Sequence, residues 1–382
     1  MYKIISIVGA RPQFIKTAAL CRVINNVFST QLEHIILHTG QHYDKNMSEI
    51  FFDELEIDAP TYNLGIHSTE ASYPMETSVS ALETILKAEK PDMVLVYGDT
   101  FSTLAGAIAT ENCALPLAHI EAGMRSFDMT MPEEINRIET DKRATYLFCA
   151  TQTAIDNLKK EGIYTNNSIP YNRDNKNILF CGDIMYDHAL YFEKKKNTVT
   201  EEFIKQLMAF PSYALVTIHR QQNTDDKERL INILTGLKYI ADDQQHLVFP
   251  LHPRTQKMIV GFLSEKEYTS LFTNPFIHFI APLSFLEMMY AEKHASMILT
   301  DSGGVQKESY FYQKPCIIFR NETEWTELIK TKCSILSDVK PENILKAFKD
   351  FKLTPPKEYP PLFGNGNTAD SICREILNAL KA

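Results

Sequence analysis

The chain has 382 residues, more than one ordinary hydrophobic core accommodates, and this length predicts two domains. Apolar residues make up 44% and charged residues 23%, values typical of globular proteins rather than disordered ones. The formal net charge of -9 argues against nucleic-acid binding, because that function depends on clustered Lys and Arg.

Cysteine usage and the first residues indicate the compartment. The seven cysteines are scattered without a CxxC pair and lie mostly in or beside apolar runs, which favours buried thiols in a reducing compartment over a zinc site or a disulfide framework. The start, MYKIISIVGARPQ, has a short apolar run without a cleavage site and predicts a first strand. No run approaches the roughly 18 apolar residues of a membrane span. We therefore expect a cytoplasmic protein without membrane insertion.

Short β-rich runs alternate with helical patterns along the first half of the chain. The predicted strands are KIISIVG, HIILHTG, DMVLVYGD, PLAHIEAG and the start of ATYLFCATQTAIDNLKKEG. Patterns with helical spacing lie between them, namely RPQFIKTAALCRVINN, NMSEIFFDEL, SALETILKAEK and TFSTLAGAIATEN. Strands that are apolar throughout and separated by helices predict a parallel sheet covered on both faces.

A polar, Asn-rich stretch at 162–177 predicts a loop, after which NILFCGDIMYDHAL is expected to open a second α/β series. The further strands of that series are predicted to be YALVTIHR, HLVFPLHP, FIHFIAP, MILTDSG and CIIFR. We therefore expect an α/β protein with two doubly wound domains, residues 1–175 and 176–366, and a final helix at 367–382 that packs back on the first domain.

Two Gly turns are candidate anion sites, because ligands of open α/β sheets bind beyond the carboxyl ends of the strands. After the first strand, Gly9-Ala10-Arg11-Pro12 and Lys16 combine a turn, a helix start and two cations, although surface charges explain the same pattern equally well. Ser302, Gly303 and Gly304 also follow an apolar strand and open a helix. Their backbone N–H groups can approach a diphosphate closely, and this site is favoured over a simple N-cap by Ser302.

One turn further along that helix, Glu308 can accept hydrogen bonds from both hydroxyls of a ribose. Together with the preceding turn, this residue predicts a nucleoside diphosphate site in the second half of the chain.

Carboxylates are concentrated in the segment AHIEAGMRSFDMTMPEEINRIETD at 118–141. Asp99 and Glu121 each follow a predicted strand, and Glu133 opens a helix after Pro132, where the helix dipole alone also favours an acid. Because neighbouring strand ends lie close together in a parallel sheet, we expect these three carboxylates to share one cleft. An exposed helix face is expected for Glu134, Glu139 and Asp141, except where Arg137 pairs with one of them.

Two histidines, His219 and His252, follow predicted strands of the second half. No further His or Cys stands at ligand spacing near either, so a metal site is not indicated. Carboxylates opposite anion-binding elements suit an activated phosphate ester, with the carboxylates as acid and base and the phosphates as leaving group.

The motifs GARPQFIK, HTGQHYD, VLVYGDT, HIEAGMRSFDMTMPEEINR, IHRQQNT, PLHPRT, LTDSGGVQKES and ETEWTEL extend in order from residue 4 to about 328. This series resembles that of the non-hydrolysing UDP-N-acetylglucosamine 2-epimerases. GARPQFIK, MPEEINR and TEWTEL resemble especially the branch that contains UDP-2,3-diacetamido-2,3-dideoxyglucuronate 2-epimerases. The resemblance implies a GT-B-like fold, with the active site in the cleft between two Rossmann-like domains, and a homodimer.

The resemblance also implies roles for the candidate residues. Phosphates and ribose are held by Ser302, Gly303, Gly304 and Glu308, and the diphosphate is contacted by Arg11, Arg137 and His219. The catalytic carboxylates are Asp99, Glu121 and Glu133, with Lys16 near the sugar and His252 among the substrate-binding residues.

The implied reaction removes the C2 proton while UDP leaves C1, giving a 2-acetamidoglycal, and then adds UDP back with a proton from the opposite face. It requires no NAD, metal or pyridoxal cofactor. The expected substrate is UDP-N-acetylglucosamine, for a bacterial-type surface polysaccharide precursor. Phe101 and Gln222 depart from the common family pattern near the sugar, so a modified UDP-2-acetamido sugar remains an alternative. A GT-B glycosyltransferase and a non-enzymatic sugar-nucleotide sensor are more distant ones.

Overall fold

The computed structural model of the chain describes residues 1–41, 52, 54–57, 59–65, 75–165, 169–195 and 199–381. The chain divides into two compact units. One unit comprises Met1–Tyr191 and Pro361–Ala382, and the other comprises Phe192–Pro360. Each unit has one parallel sheet accompanied by helices, which confirms the predicted two-domain α/β class.

The first unit is built on a seven-stranded sheet with the order β3-β2-β1-β4-β5-β6-β7, and every neighbouring pair is parallel. The strands are β1 (Tyr2–Val8), β2 (Leu32–His38), β3 (Tyr62–Asn63), β4 (Met93–Tyr97), β5 (Leu117–Ile120), β6 (Tyr146–Cys149) and β7 (Asn177–Phe180). The described helices are Arg11–Val23 with a π-helical continuation at Ile24–Phe28, Met75–Glu89, Phe101–Asn112, Pro132–Arg143, Gln152–Lys160, Ile184–Lys194, which runs across the unit boundary, and Thr368–Lys381.

The central strands are apolar because both faces of the sheet are covered. Every residue of β4 and β5 is buried, including the one polar side chain, His119. A strand of this kind cannot alternate between apolar and polar residues, since neither face meets water. The polar residues that follow such strands therefore collect at the carboxyl edge of the sheet.

The C-terminal helix Thr368–Lys381 belongs to the first unit. Ile372, Cys373 and Ile376 are fully buried, and the N–H of Ala369 donates to the Asp187 carboxylate at 2.7 Å. The amphipathic spacing of this segment thus corresponds to a helix that closes the first hydrophobic core.

The structure differs from the sequence prediction at three strands. NILF was expected to open the second series, but it is β7 and pairs with β6 in the first sheet, so the first unit extends beyond residue 175. The two- and three-residue strands Tyr62–Asn63 and Ser334–Leu336 were missed because they are too short to show periodicity. Most of the predicted helix NMSEIFFDEL and the residues 42–44 of the HTGQHYD motif lie outside the described residues.

The second unit is built on a six-stranded parallel sheet with the order β10-β9-β8-β11-β12-β13. Its strands are β8 (Ala214–Thr217), β9 (Leu247–Pro250), β10 (Ile277–Ile280), β11 (Met297–Thr300), β12 (Cys316–Ile318) and β13 (Ser334–Leu336). Its described helices are Glu201–Met208, Gln221–Thr224, Lys227–Asp242, Pro253–Phe262, Glu265–Phe272, Phe285–His294, Gly303–Phe311, Thr326–Lys330 and Pro341–Leu353.

Two groups of buried apolar side chains cover the two faces of the second sheet. Alternate residues of β8 divide between them, with Ala214 and Val216 in one group and Leu215 in the other. Within the described part of the chain, no helix has the length and apolar content that crossing a membrane requires.

Candidate active site

The first set of candidate residues lies at the carboxyl edge of the first sheet. β4 and β5 are neighbours, with Tyr97 opposite Ile120, and the N–H of Gly98 donates to the Ile120 carbonyl at 2.9 Å. Asp99 and Glu121 therefore emerge from adjacent strand ends, as the sequence predicts.

Lys16 and Glu121 form a largely buried ion pair. The Nζ atom of Lys16 lies 2.7 Å from Oε1 of Glu121, and the two side chains are only 6% and 14% exposed. Gly98 has a φ of +62°, and a Cβ at that position would lie 3.1 Å from the Lys16 Nζ atom. Glycine at residue 98 thus lets the backbone turn close against the ion pair.

Glu121 itself adopts a left-handed backbone conformation, with a φ of +73°. Such a conformation costs a non-glycine residue about 1–3 kcal/mol, and it is maintained where the surroundings determine it. Here the N–H groups of Glu121 and Ala122 both donate to the Phe148 carbonyl, at 3.0 and 3.1 Å. These two bonds fix the direction in which the Glu121 side chain leaves the sheet.

Two side chains of the helix Pro132–Arg143 contact Asp99. The guanidinium of Arg137 contacts the Asp99 carboxylate directly, and the side-chain amide of Asn136 donates to the Asp99 carbonyl at 2.8 Å. Arg137 also lies 3.1 Å from Oε2 of Glu134. Arg137 was predicted to contact a diphosphate, and the structure places it beside a candidate catalytic carboxylate.

The two acids at the start of this helix have opposite environments. Glu133 is exposed, whereas Glu134 is 1% exposed and accepts hydrogen bonds from the Ser126 N–H at 2.8 Å and the Phe127 N–H at 3.0 Å. Glu134 is thus the acid that pairs with Arg137, the exception that the sequence allowed, whereas the expectation of an exposed Asp141 is wrong, because Asp141 is 0% exposed. Glu134 also fixes the loop that leads from Glu121 to the helix, and Glu139 is half-buried beside Arg143.

The turn after β1 is closed by a glutamine that the sequence analysis did not single out. Gln13 is fully buried, and its carbonyl oxygen accepts the N–H groups of Gly9 at 2.7 Å and Ala10 at 3.0 Å. Its amide donates to the Tyr97 carbonyl at 2.8 Å. Because Gln13 occupies these two backbone donors, Arg11 and Lys16 are the remaining elements of the anion site predicted after β1. Arg11, the first residue of the following helix, is half-buried.

A polar network of three buried side chains, His119, Asp141 and Arg125, lies directly behind Asp99 and Glu121 and ends at the partly exposed Glu161. His119 contacts the Gly98 carbonyl through Nε2 and the Asp141 carboxylate through Nδ1, both at 2.7 Å. Asp141 also pairs with Arg125 at 2.8 Å, and Arg125 makes a bidentate pair with Glu161 at 2.6 and 2.7 Å. Both ring nitrogens of His119 therefore face oxygen atoms, which fixes the orientation of the ring.

The signal for this network is present in the sequence, although it was missed. His119 and Arg125 flank Glu121 at short spacing in the sequence, and Asp141 lies on the helix that follows β5. Their pairing depends on the tertiary fold, because residues 119 and 141 lie on different elements.

In the second unit, Asp301 organises the candidate residues. This carboxylate is 1% exposed and accepts the backbone N–H groups of His219 and Arg220, each at 3.1 Å, and the side-chain amide of Asn223 at 3.1 Å. The His219 ring is about half exposed, with Nδ1 3.8 Å from Asp301. Asp301 therefore connects the end of β11 to the end of β8.

His252 lies near His219, because the strands that precede them, β9 and β8, are neighbours in the sheet. It caps the helix Pro253–Phe262, since Nδ1 accepts the Arg254 N–H at 3.2 Å. The pKa of His252 is lowered by burial first, and then by the positive charges of His219 and Arg254. The structure thus brings together the two histidines that follow β8 and β9.

The helix Gly303–Phe311 begins as predicted, with Ser302 as its N-cap. The structure shows why residue 303 is a glycine, which the sequence did not reveal. A Cβ at this position would lie 2.5 Å from Oε1 of Glu324. A Cβ on Gly304 would meet only Ser302 Oγ, at 3.9 Å, so the start of the helix stays open at this residue. Glu308 is half-buried one turn further on.

The ETEWTEL motif packs against this helix through two contacts that were not predicted. The Thr323 hydroxyl donates to the side-chain carbonyl of Gln306 at 2.6 Å, and the Lys307 ammonium lies 4.3 Å from the centre of the Trp325 ring. Glu324 of the same motif pairs with Arg320 at 3.0 Å. Across the described ranges, no three His, Cys, Asp or Glu side chains are grouped so that they could hold a metal ion.

Two parallel-sheet units, one with cation–carboxylate pairs and one with a Gly-Gly helix start at the carboxyl edge, define a two-domain α/β enzyme of the GT-B type. The family model described as UDP-N-acetylglucosamine 2-epimerase matches residues 27–377. The chain belongs to this family, whose named members here are isomerases.

Individual relatives extend over nearly the whole chain. It is 44% identical to a UDP-N-acetylglucosamine 2-epimerase homolog of Methanococcus maripaludis, covering 98% of this chain and 99% of the relative. It is 40% identical, with the same coverage, to the UDP-2,3-diacetamido-2,3-dideoxy-D-glucuronate 2-epimerase of Pseudomonas aeruginosa. The crystal structure of Methanocaldococcus jannaschii UDP-GlcNAc 2-epimerase in complex with UDP-GlcNAc and UDP is 37% identical, with a TM-score of 0.83 over 98% of this chain and 99% of that one.

Proposed function

We propose that this protein is a non-hydrolysing UDP-N-acetylglucosamine 2-epimerase that interconverts UDP-N-acetylglucosamine and UDP-N-acetylmannosamine. The observation that carries the proposal is the pair of carboxylates at adjacent strand ends, each held by a cation: Glu121 by Lys16 and Asp99 by Arg137. Buried ion pairs are costly to assemble, and their position at the ligand-binding edge of a parallel sheet indicates a catalytic use.

Two carboxylates with different partners suit the two proton transfers of an epimerisation. One carboxylate takes the C2 proton, the electrons of the broken C–H bond form the C1–C2 double bond, and the C1–O bond breaks to release UDP. In the return step, a UDP oxygen bonds to C1 and an acid on the other face delivers a proton to C2. Asp99, Glu121 and Glu133 are the proposed acids and bases, because acid and base need distinct environments.

The leaving diphosphate needs positive charge and N–H donors. We assign this role to the start of the helix Gly303–Phe311 and to His219, with Arg11, Arg137 and His252 as further substrate contacts. Backbone N–H groups at a helix start stabilise phosphate oxygens without a bound metal, and the dipole of the helix adds to the effect. Glu308 is proposed to accept the ribose hydroxyls.

A modified UDP-2-acetamido sugar is the second candidate substrate. The relative from Pseudomonas aeruginosa acts, by its name, on a diacetamido uronate and is 40% identical over 98% of the chain. A glycosyltransferase of the same fold is less well supported, because transfer to an acceptor does not need the two ion pairs at Glu121 and Asp99. Turnover without an acceptor separates the two.

We further propose that the protein acts as a homodimer in the cytoplasm, on precursors of surface polysaccharides. Sedimentation equilibrium tests the first point. A mass of twice the 43.7 kDa of the chain supports the dimer, and a mass of one chain contradicts it.

Deuterium exchange at C2 tests the assigned acids and bases. Asp99→Asn and Glu121→Gln are each expected to lose the wash-in of solvent deuterium into the substrate, while both variants still unfold in a single cooperative transition. Asp92→Asn is the matched control, because Asp92 is exposed and lies at the opposite end of β4 from Asp99. Near-normal exchange in both Asp99→Asn and Glu121→Gln would show that the proposed chemistry is wrong.

A further inference from the structure

Glu292 is a buried acid that none of the roles above uses. It lies near the end of the helix Phe285–His294 and is 0% exposed. Glutamate is almost never fully buried unless it is paired. No N–H or O–H group of the described residues donates a hydrogen bond to either of its carboxyl oxygens.

The partner of Glu292 is another carboxyl group, that of Glu308 on the helix Gly303–Phe311. The two side chains are within hydrogen-bonding contact. Two ionised carboxylates only accept hydrogen bonds, so this contact requires that one of the two carries a proton. Glu292 is the one that does, because it is fully buried whereas Glu308 is half-buried.

The surroundings of Glu292 agree with a neutral acid. Burial, then the charge of Glu308 and the hydrogen bond to it, raise the pKa of Glu292 well above its usual value. The other titratable groups that interact with it are Tyr213, Tyr312 and Cys316, whose pKa values are raised mainly by burial, so they are neutral too. The charge that acts on Glu292 is therefore the negative charge of Glu308.

We propose that Glu292 is a positioning residue, a protonated carboxylic acid whose O–H donates to Glu308 and holds that carboxylate in the orientation that accepts the two ribose hydroxyls of UDP. The inference rests on the proposed uridine nucleotide site at Glu308. It adds to that site a supporting residue on the neighbouring helix. A preorganised acceptor binds a diol more tightly than a mobile one.

Two substitutions separate positioning from packing. Glu292→Gln keeps a donor, because its amide N–H can replace the acid O–H. Glu292→Met has a similar volume but no donor. We expect Glu292→Met to bind UDP about 10-fold more weakly than the wild type, the loss typical of one hydrogen bond to a charged group, and Glu292→Gln to bind within about 2-fold of it.

The control ligand is 2',3'-dideoxy-UDP, which lacks the two hydroxyls. Titration calorimetry with both ligands should show that Glu292→Met loses affinity for UDP only. Equal losses for both ligands would mean that Glu292 has a structural role alone, and unchanged UDP binding by Glu292→Met would equally overturn the inference. Glu308→Gln is expected to remove the preference of the wild type for UDP over the dideoxy analogue.

Failure of the inference and failure of the proposed function give different results. Suppose that the wild type binds UDP more tightly than the dideoxy analogue, that Glu308→Gln loses this preference, and that Glu292→Met keeps it. In that case only the proposed role of Glu292 is wrong. If the wild type binds both ligands equally, the ribose role of Glu308 fails and the inference with it, while deuterium exchange at C2 still tests the epimerase chemistry.

An infrared difference spectrum provides a test without ligand. At neutral pH the wild type minus Glu292→Gln spectrum should contain the C=O band of a protonated carboxylic acid. A carboxylate band in its place would overturn the assignment, whatever the binding data show.

Discussion

Lys16 is the cation that pairs with Glu121 at the carboxyl edge of the first sheet. Its ammonium lies 2.7 Å from Glu121 with little access to water, so the ion pair is weakly screened by solvent. This positive charge pairs with Glu121, and in the proposed reaction it also faces the sugar end of the substrate.

We predict that Lys16→Met lowers kcat by roughly 10²–10³-fold, the usual effect of losing one preorganised charged donor. Steady-state kinetics and a thermal unfolding curve check this. Lys87→Met is the control, because Lys87 pairs with Glu83 at 2.8 Å but is 62% exposed. Wild-type kcat in folded Lys16→Met would contradict a catalytic function of the ion pair.

Glu133 and Glu134 are neighbours in sequence with different predicted effects. Glu133→Gln should lower kcat and leave the free energy of unfolding unchanged, because Glu133 is exposed. Glu134→Gln should lower the free energy of unfolding by about 1–3 kcal/mol, since Glu134 accepts several buried hydrogen bonds. Urea denaturation and kinetics of the two variants distinguish these effects, and equal destabilisation by both would be inconsistent with their burial.

The same two residues show how far sequence reasoning reaches at this scale. Asp99 and Glu121 were found because a polar residue after an apolar strand lies at the ligand edge of a parallel sheet. The difference between Glu133 and Glu134 was not found, because both suit a helix start. It depends on the loop at Ser126 and Phe127 that folds over one of them. Gln13 was missed because its role also depends on tertiary contacts, here the bond from its amide to the Tyr97 carbonyl on the neighbouring strand.

At the scale of elements, the buried residues His119, Asp141 and Arg125, with the partly exposed Glu161, join β5 to the helix Pro132–Arg143 and to the end of the helix Gln152–Lys160. Burial alone raises the pKa of Asp141, but the charges and hydrogen bonds of His119 and Arg125 outweigh burial and bring it below its usual value. The network also fixes Gly98 through its carbonyl, and hence the chain segment that carries Asp99.

We predict that Asp141→Asn lowers the free energy of unfolding by about 3–5 kcal/mol, because it leaves Arg125 and His119 buried with one charge partner fewer. Urea denaturation measures this. The control is Asp156→Asn, since Asp156 is 51% exposed and its contacts, with Lys159 at 3.9 Å and the Gln152 amide at 3.0 Å, lie at the surface. A loss no larger than that of the control would contradict the account of the network.

The acid pair between the helices Phe285–His294 and Gly303–Phe311 predicts a pH dependence of stability. The folded-state pKa of Glu292 is raised, so its contribution to stability is fully present below its unfolded pKa near 4.5 and is lost as the pH rises toward the folded value. Glu292→Gln does not titrate. The stability of the wild type relative to Glu292→Gln should therefore fall steadily from about pH 4.5 to neutral pH.

Urea denaturation at several pH values checks this expectation, with the exposed Glu265→Gln as the control variant. A difference between wild type and Glu292→Gln that does not change with pH would mean that Glu292 is ionised in the folded protein.

The elements themselves were predictable to the extent that burial leaves a pattern in sequence. β1 and β4 are apolar runs bounded by turn residues, and both were located. β7 was assigned to the wrong series because NILF follows a long polar stretch, and only its pairing with β6 shows which sheet it joins. Pairing between distant strands is not encoded in local periodicity.

At the scale of the whole molecule, each unit contributes one part of the proposed chemistry. The first unit holds the carboxylates and their cations, and the second holds the Gly-Gly helix start, the two histidines and Glu308. The division of labour was predictable from the order of motifs along the chain. The last helix, expected at 367–382, lies with residues from Pro361 onward in the first unit.

Proton NMR of the purified protein with UDP-N-acetylglucosamine in D₂O tests the central claim most directly. The account predicts that the manno epimer appears, with deuterium at C2 of both epimers and little free UDP, and without any acceptor or added cofactor. The same measurement with the UDP-diacetamido uronate separates the two candidate substrates. If neither sugar nucleotide gained deuterium at C2 or changed configuration, the assignment as a 2-epimerase would be wrong.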